Sequence, residues 1–396
     1  MNKSPERVAS SMLNPEKSNR RRKTQARRHP VGHLFNTTLG QRVVSGSTRY
    51  GRISIQPTRG DRFDKGGRTG YPFADMADIL LSSVTPSTRT GSIKAKMEGA
   101  FALIKARLGV ASGRLAHHRV FGHLDDDVWF SVNTTAYRKY AILRKVLPSL
   151  PDAQTQRSFI GSDGDRALNE AFRAYQLIHR IAARCGRPVT GETTILDFGC
   201  GWGRTIRFFM RDVPTGQLHG VDVMELAVDL SRQTNPWCHF SLVPALPPSR
   251  LPERSFDLIY LYSVFSHLSE QAHDQWLTEF QRLLRPNGLL FATTWPRDYI
   301  SRCERARASN GHVWGTHPGS LTAFEGTEAW LARYDRGEYC HSPTGGGSVL
   351  SRDYYGESCI SEAYVRRRWS ERFDLRAYID ADDEWLYQNL IVAQRR

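Results

Sequence analysis

Residues 195–204, I-L-D-F-G-C-G-W-G-R, decide the fold, because they join a buried strand to a glycine-rich turn. The apolar residues around Asp197 are typical of a strand inside a parallel sheet. Three glycines then let the backbone turn sharply and let a ligand lie against bare main chain: Gly199, Gly201 and Gly203. Apolar residues recur at helical spacing from Ile206 onward, so the turn leads into a helix whose amide end faces the ligand.

A second acidic residue lies where a nucleotide-binding fold needs one. Asp222 follows Gly203 by nineteen residues and closes another apolar strand, so its carboxylate suits a ribose diol. The turn is not a dinucleotide fingerprint, because the third glycine of G-x-G-x-x-G would fall at Arg204. The glycines alone leave open a tight strand-to-helix turn that binds no ligand.

The chain from residue 193 onward alternates strand and helix patterns, as a doubly wound α/β domain does. We predict strands over residues 194–199, 217–222, 238–243, 256–262 and 288–294, with a terminal hairpin over 373–379 and 385–394. We predict helices over residues 135–147, 166–185, 203–211, 224–234, 268–285 and 361–371. Asp125–Asp127 is interpreted as the charged start of a helix rather than as a metal site.

The spacing D-x-G-x-G-x-G resembles motif I of the class I S-adenosylmethionine (SAM) dependent methyltransferases. Two further segments look like the fourth strand of that family and the helix, turn and strand after it: SFDLIYLYSVFSHL over 255–268 and WLTEFQRLLRPNGLLFATT over 276–294. The motifs cover about residues 193–295 in the order of the family. The resemblance implies a doubly wound, seven-stranded Rossmann-like sheet with an antiparallel last strand, and SAM as the cofactor.

The resemblance also implies roles for residues of this chain. The methionine end of SAM would be lined by Asp197, Gly199, Cys200, Gly201 and Gly203. Asp222 would hold the ribose hydroxyls, and the adenine would contact Val223, Ala245 and Leu246, the last two in a loop that departs from the family pattern. Tyr262 and Ser263 would flank the methyl group.

Methyl transfer from a sulfonium is an in-line displacement, which requires alignment and exclusion of water but no metal. A general base is needed only for an acceptor that begins as a hydroxyl or an ammonium. His267, just past the fourth strand, is the candidate base, and the alternative is a packed histidine that caps the next helix. Glu357 and His341 are weaker candidates, while His312 and His317 lack a third metal ligand at a recognisable spacing.

Charge is concentrated at the start of the chain, which has a formal net charge of +15. Residues 1–70 hold 16 Lys and Arg against 4 Asp and Glu, so the rest is close to neutral. We therefore predict a basic, largely disordered tail over 1–90 and a helical N-terminal extension over 91–192. The methyltransferase domain would cover 193–396, with a lid-like insertion over about 296–360.

The segments GEYCHSPTGGG, YYGES and ISEAYVRRRW, between residues 337 and 369, resemble a bacterial subgroup that accompanies glycan or surface-polysaccharide biosynthesis. We expect methyl transfer to O or N of a small molecule or glycan intermediate. Aromatic residues of the insertion would either stack on such a ring or form a small core: Tyr339, Tyr354, Tyr355, Trp314 and Trp330. The alternatives are an RNA or protein methyltransferase recruited by the basic tail, and a SAM-binding scaffold without turnover.

Location and partners follow from composition alone. No stretch approaches the roughly 18 consecutive apolar residues of a membrane span. The six cysteines include no C-x-x-C pair, and the start of the chain lacks an apolar signal segment. We therefore expect a cytoplasmic enzyme, although an Arg-rich start also resembles an organelle transit peptide. Nucleic acid could bind the tail, but the near-neutral body favours a small-molecule or glycan partner.

Overall fold

The computed structural model of the chain describes residues 98, 99, 102, 115–311, 318–346, 350–382 and 386–396. The predicted tail over 1–90 lies outside the described residues, and so do His312, Trp314 and His317.

In the described part of the chain, nine strands form two sheets. In chain order they are β1 (Ile195–Phe198), β2 (Leu218–Asp222), β3 (His239–Leu242), β4 (Phe256–Leu261), β5 (Leu284–Thr294), β6 (Cys340–Ser342), β7 (Glu357–Cys359), β8 (Phe373–Ile379) and β9 (Asn389–Arg395). The main sheet has the order β3-β2-β1-β4-β5-β9-β8, and β6 pairs with β7 in a two-stranded sheet. Strands β1 to β5 run parallel, and β9 is antiparallel to both of its neighbours. The predicted seven-stranded sheet with an antiparallel last strand is confirmed.

The helices connect these strands and precede them. They are α1 (His117–Phe121), α2 (Asp126–Asn133), α3 (Thr135–Lys139), α4 (Ala141–Val146), α5 (Ala153–Ile160), α6 (Gly164–Arg184), α7 (Ile206–Phe209), α8 (Glu225–Thr234), α9 (Glu270–Leu283), α10 (Arg297–Ala308), α11 (Thr327–Asp335) and α12 (Glu362–Trp369). Helix α2 begins just after Asp125 with two acidic residues in its first turn, so the interpretation of this cluster as a helix start is confirmed.

Helices cover both faces of the main sheet, as the alternation of side chains along β4 shows. Leu258 and Tyr260 lie in one apolar core together with residues of α6. Ile259 and Leu261 lie in a second core together with residues of α9. Because successive residues of a strand point to opposite faces, the two cores sandwich the sheet between two layers of helices.

Two predicted helices are wrong in their extent. The one over 135–147 is two helices, α3 and α4, because Tyr140 is extended and Arg144 donates through its side chain to the carbonyls of Tyr137 and Arg138. Those two carbonyls would otherwise accept from the backbone of a continuous helix. The helix predicted over 203–211 shortens to α7, because the glycine turn continues as far as Thr205.

The end of the fifth predicted strand is correct, but its start is not. β5 begins at Leu284, and its register against β4 shifts between Phe256 and Leu258. Asn287 has a φ of 61°, which is the conformation expected of an Asn-Gly turn. The Asn-Gly turn at Asn287 and Gly288 is therefore an irregularity inside a longer strand.

The segment predicted as a lid-like insertion has a small core of its own. Helices α10 and α11 and strands β6 and β7 bury a cluster formed by Tyr299, Ile300, Cys303, Ala323, Phe324, Cys340 and Cys359. Trp330 packs against this cluster, and Tyr339 is buried in the core beside α9. Trp330 and Tyr339 therefore pack in apolar cores, which is the alternative to stacking on the ring of a ligand.

Candidate functional site

The glycine turn after β1 lies tightly against two neighbouring strands. Its glycines have φ values of +76° (Gly199), +55° (Gly201) and +74° (Gly203), a region that other residues rarely adopt. The backbone N–H groups of Gly199 and Cys200 both donate to the carbonyl oxygen of Val221 in β2, at 2.8 and 3.0 Å. A Cβ on Gly199 would lie 2.5 Å from Cγ2 of Val264, so this turn tolerates no side chain there.

Asp222 joins the end of β2 to this turn. Its Oδ2 accepts from the backbone N–H of Gly201 at 3.0 Å, and its Oδ1 accepts from that of Met224 at 2.9 Å. Burial raises the pKa of Asp222, whereas the backbone N–H groups of Met224, Gly201 and Val223 lower it. A carboxylate has about four lone-pair sites, so two backbone bonds leave capacity for the hydroxyls of a ligand.

Asp197 is a buried acid beneath the turn, with 3% of its surface exposed. Burial raises its pKa to about 7, and the charge of Asp222 acts in the same direction, while Tyr260 and Arg204 lower it. A cation bound above the turn would stabilise the ionised form of Asp197.

The adenine-side candidates form an apolar rim. Val223 packs against the core beside α9, and Leu246 is 38% exposed. The carbonyl oxygen of Ala245 accepts from the indole Nε1 of the buried Trp276 at 3.0 Å. This bond fixes the loop after β3, in which the sequence departs from the family pattern. Cys200, by contrast, is buried, and burial raises the pKa of its thiol well above the ordinary value, so it contributes backbone rather than chemistry.

Helix α6 contacts the residues beside the glycine turn, and no pattern in the sequence indicates this contact. Arg204, directly after the glycine turn, contacts Glu170 of α6 at 3.3 Å. Its guanidinium also lies 5.3 Å from the centre of the Tyr262 ring. Arg204 is 8% exposed, so this ion pair is largely withdrawn from water. The helical region before the sheet therefore fixes Tyr262, one of the two residues predicted to flank the methyl group.

Ser263, the other of the two, is held by a network across three strand ends. It has a φ of 61°, and its backbone N–H donates to Oγ1 of Thr293 at 2.7 Å. Gln388 donates from Nε2 to Oγ of Ser263 at 2.9 Å and accepts from Oγ1 of Thr293 at 2.5 Å. Gln388 lies 125 residues from Ser263 in sequence, so no local signal could have identified it.

His267 lies in the loop after β4 and contacts the insertion. Its Nδ1 is 2.9 Å from the carbonyl oxygen of Gly356 and 3.5 Å from Oε1 of Glu357. Burial lowers the pKa of His267, but the charge of Glu357, its hydrogen bond and the Gly356 carbonyl raise it above the ordinary 6.5. The cap of α9 is Ser269, whose side chain accepts from the backbone N–H of Ala272, so the helix-capping alternative for His267 is wrong.

Tyr355 is a residue of the insertion that contacts His267. Its ring stacks on that of His267 with centres 5.0 Å apart and planes 10° from parallel. Burial raises the pKa of its hydroxyl, and the charges of Glu357 and Asp222 act in the same direction. Tyr355 is thus within electrostatic reach of both carboxylates. His341, one of the two weaker base candidates, instead contacts Oγ of Ser358 through Nδ1 at 2.8 Å, and burial lowers its pKa to about 4.

Within the described ranges, no group of three or more His, Cys, Asp or Glu side chains is placed to hold a metal ion. None of the helices in the described part of the chain is both long and apolar enough to cross a bilayer.

Residues 195–288, which contain the glycine turn, Asp222 and His267, match the family model described as "Methyltransferase domain". Over these 94 residues the chain is similar to class I SAM-dependent methyltransferase domains. The model match ends before the insertion, and it does not distinguish among acceptors.

Individual relatives of the methyltransferase domain are distant. An uncharacterized protein of Rickettsia prowazekii (strain Madrid E) is 33% identical over 108 residues, 26% of this chain and 43% of that protein. Trans-aconitate 2-methyltransferase of Azoarcus sp. (strain BH72) is 26% identical over 200 residues, 49% of this chain and 73% of that enzyme. The structure of magnesium protoporphyrin IX methyltransferase from Synechocystis PCC 6803 with bound SAH aligns with a TM-score of 0.39 and 13% identity, over 61% of this chain and 94% of that one. The match therefore spans less than half the length of the first relative.

The raised pKa of Asp197 predicts how the stability of the ligand-free protein depends on pH. Between about pH 4 and pH 7 the unfolded chain releases this proton while the folded chain keeps it, so the free energy of unfolding falls as pH rises and levels off above about 7. Asp197→Asn removes the buried charge, and each pKa unit corresponds to about 1.4 kcal/mol. The variant's Tm should therefore rise relative to wild type by several degrees between pH 5 and pH 8.

Thermal unfolding of both proteins at the two pH values measures this difference. Asp229→Asn, at a site where the side chain is 53% exposed, is the matched control and should show no such trend. A Tm difference between Asp197→Asn and wild type that does not change with pH would contradict the assignment of a buried, protonated acid.

Proposed function

We propose that this chain transfers a methyl group from SAM to O or N of a small molecule or glycan intermediate. The observation that carries the proposal is the meeting of three features at the carboxyl edge of one sheet: the glycine turn, Asp222 and His267. Ligands of open α/β sheets bind at this edge, where the strand order changes direction. Here the change of direction occurs at β1, between β2 and β4.

The residues of the turn fit SAM. Gly201 presents bare backbone to the methionine end, because the nearest atom to a Cβ there would be Cδ1 of Phe159 at 3.7 Å. SAM carries a sulfonium and an ammonium group, and both would favour the ionised form of the buried Asp197. Asp222 would accept hydrogen bonds from the ribose hydroxyls. We assign the cofactor site to Asp197, Gly199, Cys200, Gly201, Gly203, Asp222, Val223, Ala245, Leu246, Tyr262 and Ser263.

The chemical step requires few catalytic groups from the protein. SAM supplies an electrophilic methyl group with a good leaving group, so no metal is required. Tyr262 and Ser263 are fixed by Arg204 and Gln388, and they define the walls at the end of β4. The insertion covers most of His267, whose side chain is 13% exposed, and this burial strengthens the electrostatic interactions there. His267 is the group that would take a proton from a hydroxyl or ammonium acceptor.

The acceptor proposal rests on the chemistry around His267. Tyr355 and Trp295 lie beside its ring, and aromatic faces of this kind suit a sugar or another ring. The resemblance of the C-terminal part to a glycan-associated subgroup favours the same class, and one relative is named for trans-aconitate, a small molecule. Activity that depends steeply on salt and vanishes with the basic tail would instead point to an RNA or protein acceptor.

SAM binding is the first test of this function. Calorimetric titration should give micromolar affinity for the wild type, and Asp222→Ala should abolish binding or weaken it at least about tenfold, because the ribose loses its acceptor. The control is Asp229→Ala, which removes an exposed carboxylate on the next helix and should bind as wild type does. No binding by folded wild type would contradict the assigned cofactor site.

A second test addresses His267. His267→Ala should lower turnover at least about tenfold while leaving the affinity for SAM nearly unchanged, because general bases contribute about 10²–10⁴ to rates. The assay is release of S-adenosylhomocysteine with a panel of acceptors that begins with sugars. His123→Ala, on the exposed side of the helical region, is the control. Unchanged turnover in His267→Ala would remove this residue from the chemistry.

A further inference from the structure

The insertion runs alongside the loop that carries His267, and the two are joined through their backbones. Gly356 donates to the carbonyl of His267, and Ser358 donates to that of Ser266, each at 2.7 Å. In the opposite sense, Ser269 donates to the carbonyl of Tyr354 at 2.9 Å. The loop after β4 and residues 354–358 are therefore one structural unit, although about 90 residues separate them in sequence.

Glu357 is the charged member of this unit, and it is 1% exposed. One of its oxygens, Oε2, accepts from Nε1 of Trp295 at 2.8 Å and from the hydroxyl of Tyr299 at 2.9 Å. The other, Oε1, lies 3.5 Å from Nδ1 of His267. A buried carboxylate is costly unless it is hydrogen-bonded, and here two donors fix one oxygen while the other faces the imidazole.

The contacts of Nδ1 determine where the proton of neutral His267 resides. Nδ1 lies 2.9 Å from the carbonyl oxygen of Gly356, which can only accept. Nδ1 must therefore carry the hydrogen, and the lone pair of the neutral ring is on Nε2. Stacking on Tyr355 and the edge-on approach of Trp295, with ring centres 5.0 and 6.2 Å from that of His267, hold the plane of the ring.

We infer that Glu357 is a positioning residue of the methyl transfer: the Gly356 carbonyl holds Nδ1–H of His267, and the carboxylate of Glu357 faces the same Nδ1 at 3.5 Å and stabilises His267 as a base whose accepting atom is Nε2. The inference rests on the proposed function. With a hydroxyl acceptor, the oxygen forms a bond to the methyl carbon of SAM, and the bond from that carbon to sulfur breaks with its electron pair left on sulfur. The hydroxyl proton moves to Nε2. The products are a methyl ether, S-adenosylhomocysteine and an imidazolium that faces the carboxylate of Glu357.

The role of Glu357 is electrostatic as well as geometric. The imidazolium formed on proton transfer is stabilised by the adjacent carboxylate, as in other carboxylate–histidine pairs. The two groups come from segments that only the folded insertion brings together. The insertion is therefore part of the catalytic machinery, and more than a cover over it.

The test follows the protonation of His267 directly and needs no acceptor. The full-length protein is labelled with ¹⁵N-histidine, and the His267 signals are assigned by their loss in His267→Gln. In wild type, neutral His267 should show a non-protonated Nε2 and a titration midpoint above 6.5. Glu357→Gln keeps the shape and an oxygen for Trp295 and Tyr299 but loses the charge, so the midpoint should fall by about 1 pH unit or more.

Two variants control this comparison. Glu338→Gln, an exposed carboxylate of the same insertion, should leave the His267 midpoint unchanged. Glu357→Asp keeps the charge, so its midpoint should lie closer to wild type than that of Glu357→Gln, and it decides the question if Glu357→Gln does not fold.

A purely structural role for Glu357 predicts different spectra. A midpoint in folded Glu357→Gln equal to that of wild type would overturn the inference, and so would a neutral His267 protonated on Nε2. In Glu357→Asp, a midpoint as low as that of a free imidazole would do the same. Failure of wild type to bind SAM would overturn the proposed function but leave the His267 spectra as they are, so the two failures can be told apart.

Discussion

The order β2-β1-β4 at the centre of the sheet is the constraint on which the site depends. Because these strands are parallel, their carboxyl ends meet at one edge, and β1 is the strand at which the chain reverses its direction of travel across the sheet. The glycine turn can lie against Val221 on one side and Val264 on the other only because it lacks side chains. That closeness leaves bare backbone at the edge and brings Asp222 to the turn.

A second constraint acts on the far side of β4. The loop that carries His267 is hydrogen-bonded through its backbone to residues 354–358, in addition to the bond from His267 to Val264 within the loop. Glu357 is buried there and accepts hydrogen bonds from Trp295, just after β5, and from Tyr299, in the first turn of α10. Tyr355 then lies within electrostatic reach of Glu357 and Asp222.

Features encoded by a short run of residues could be predicted from the sequence. The glycine turn, Asp222 and the alternation of strands and helices each depend on residues close in the chain, and the structure has them where the patterns place them. The extent of α3 and α4 could not be predicted in this way, because a side chain, Arg144, takes over the carbonyls of Tyr137 and Arg138. A periodic apolar pattern carries no information about such a bond.

The partners of the site residues could not be predicted from the sequence for a similar reason. Glu170, Gln388 and Glu357 come from three distant segments, and only tertiary packing sets them beside Arg204, Ser263 and His267. The sequence marked Glu357 as a weak candidate base. The structure instead makes it the neighbour of the better candidate, a relation that no spacing in the chain expresses.

The most direct test of this account is a crystal structure of the protein with S-adenosylhomocysteine. We expect the ribose hydroxyls within hydrogen-bonding distance of the Asp222 carboxylate and the sulfur at the end of β4, toward Tyr262, Ser263 and His267. A well-ordered protein that holds the ligand elsewhere, or that shows none at this edge at saturating concentration, would contradict it.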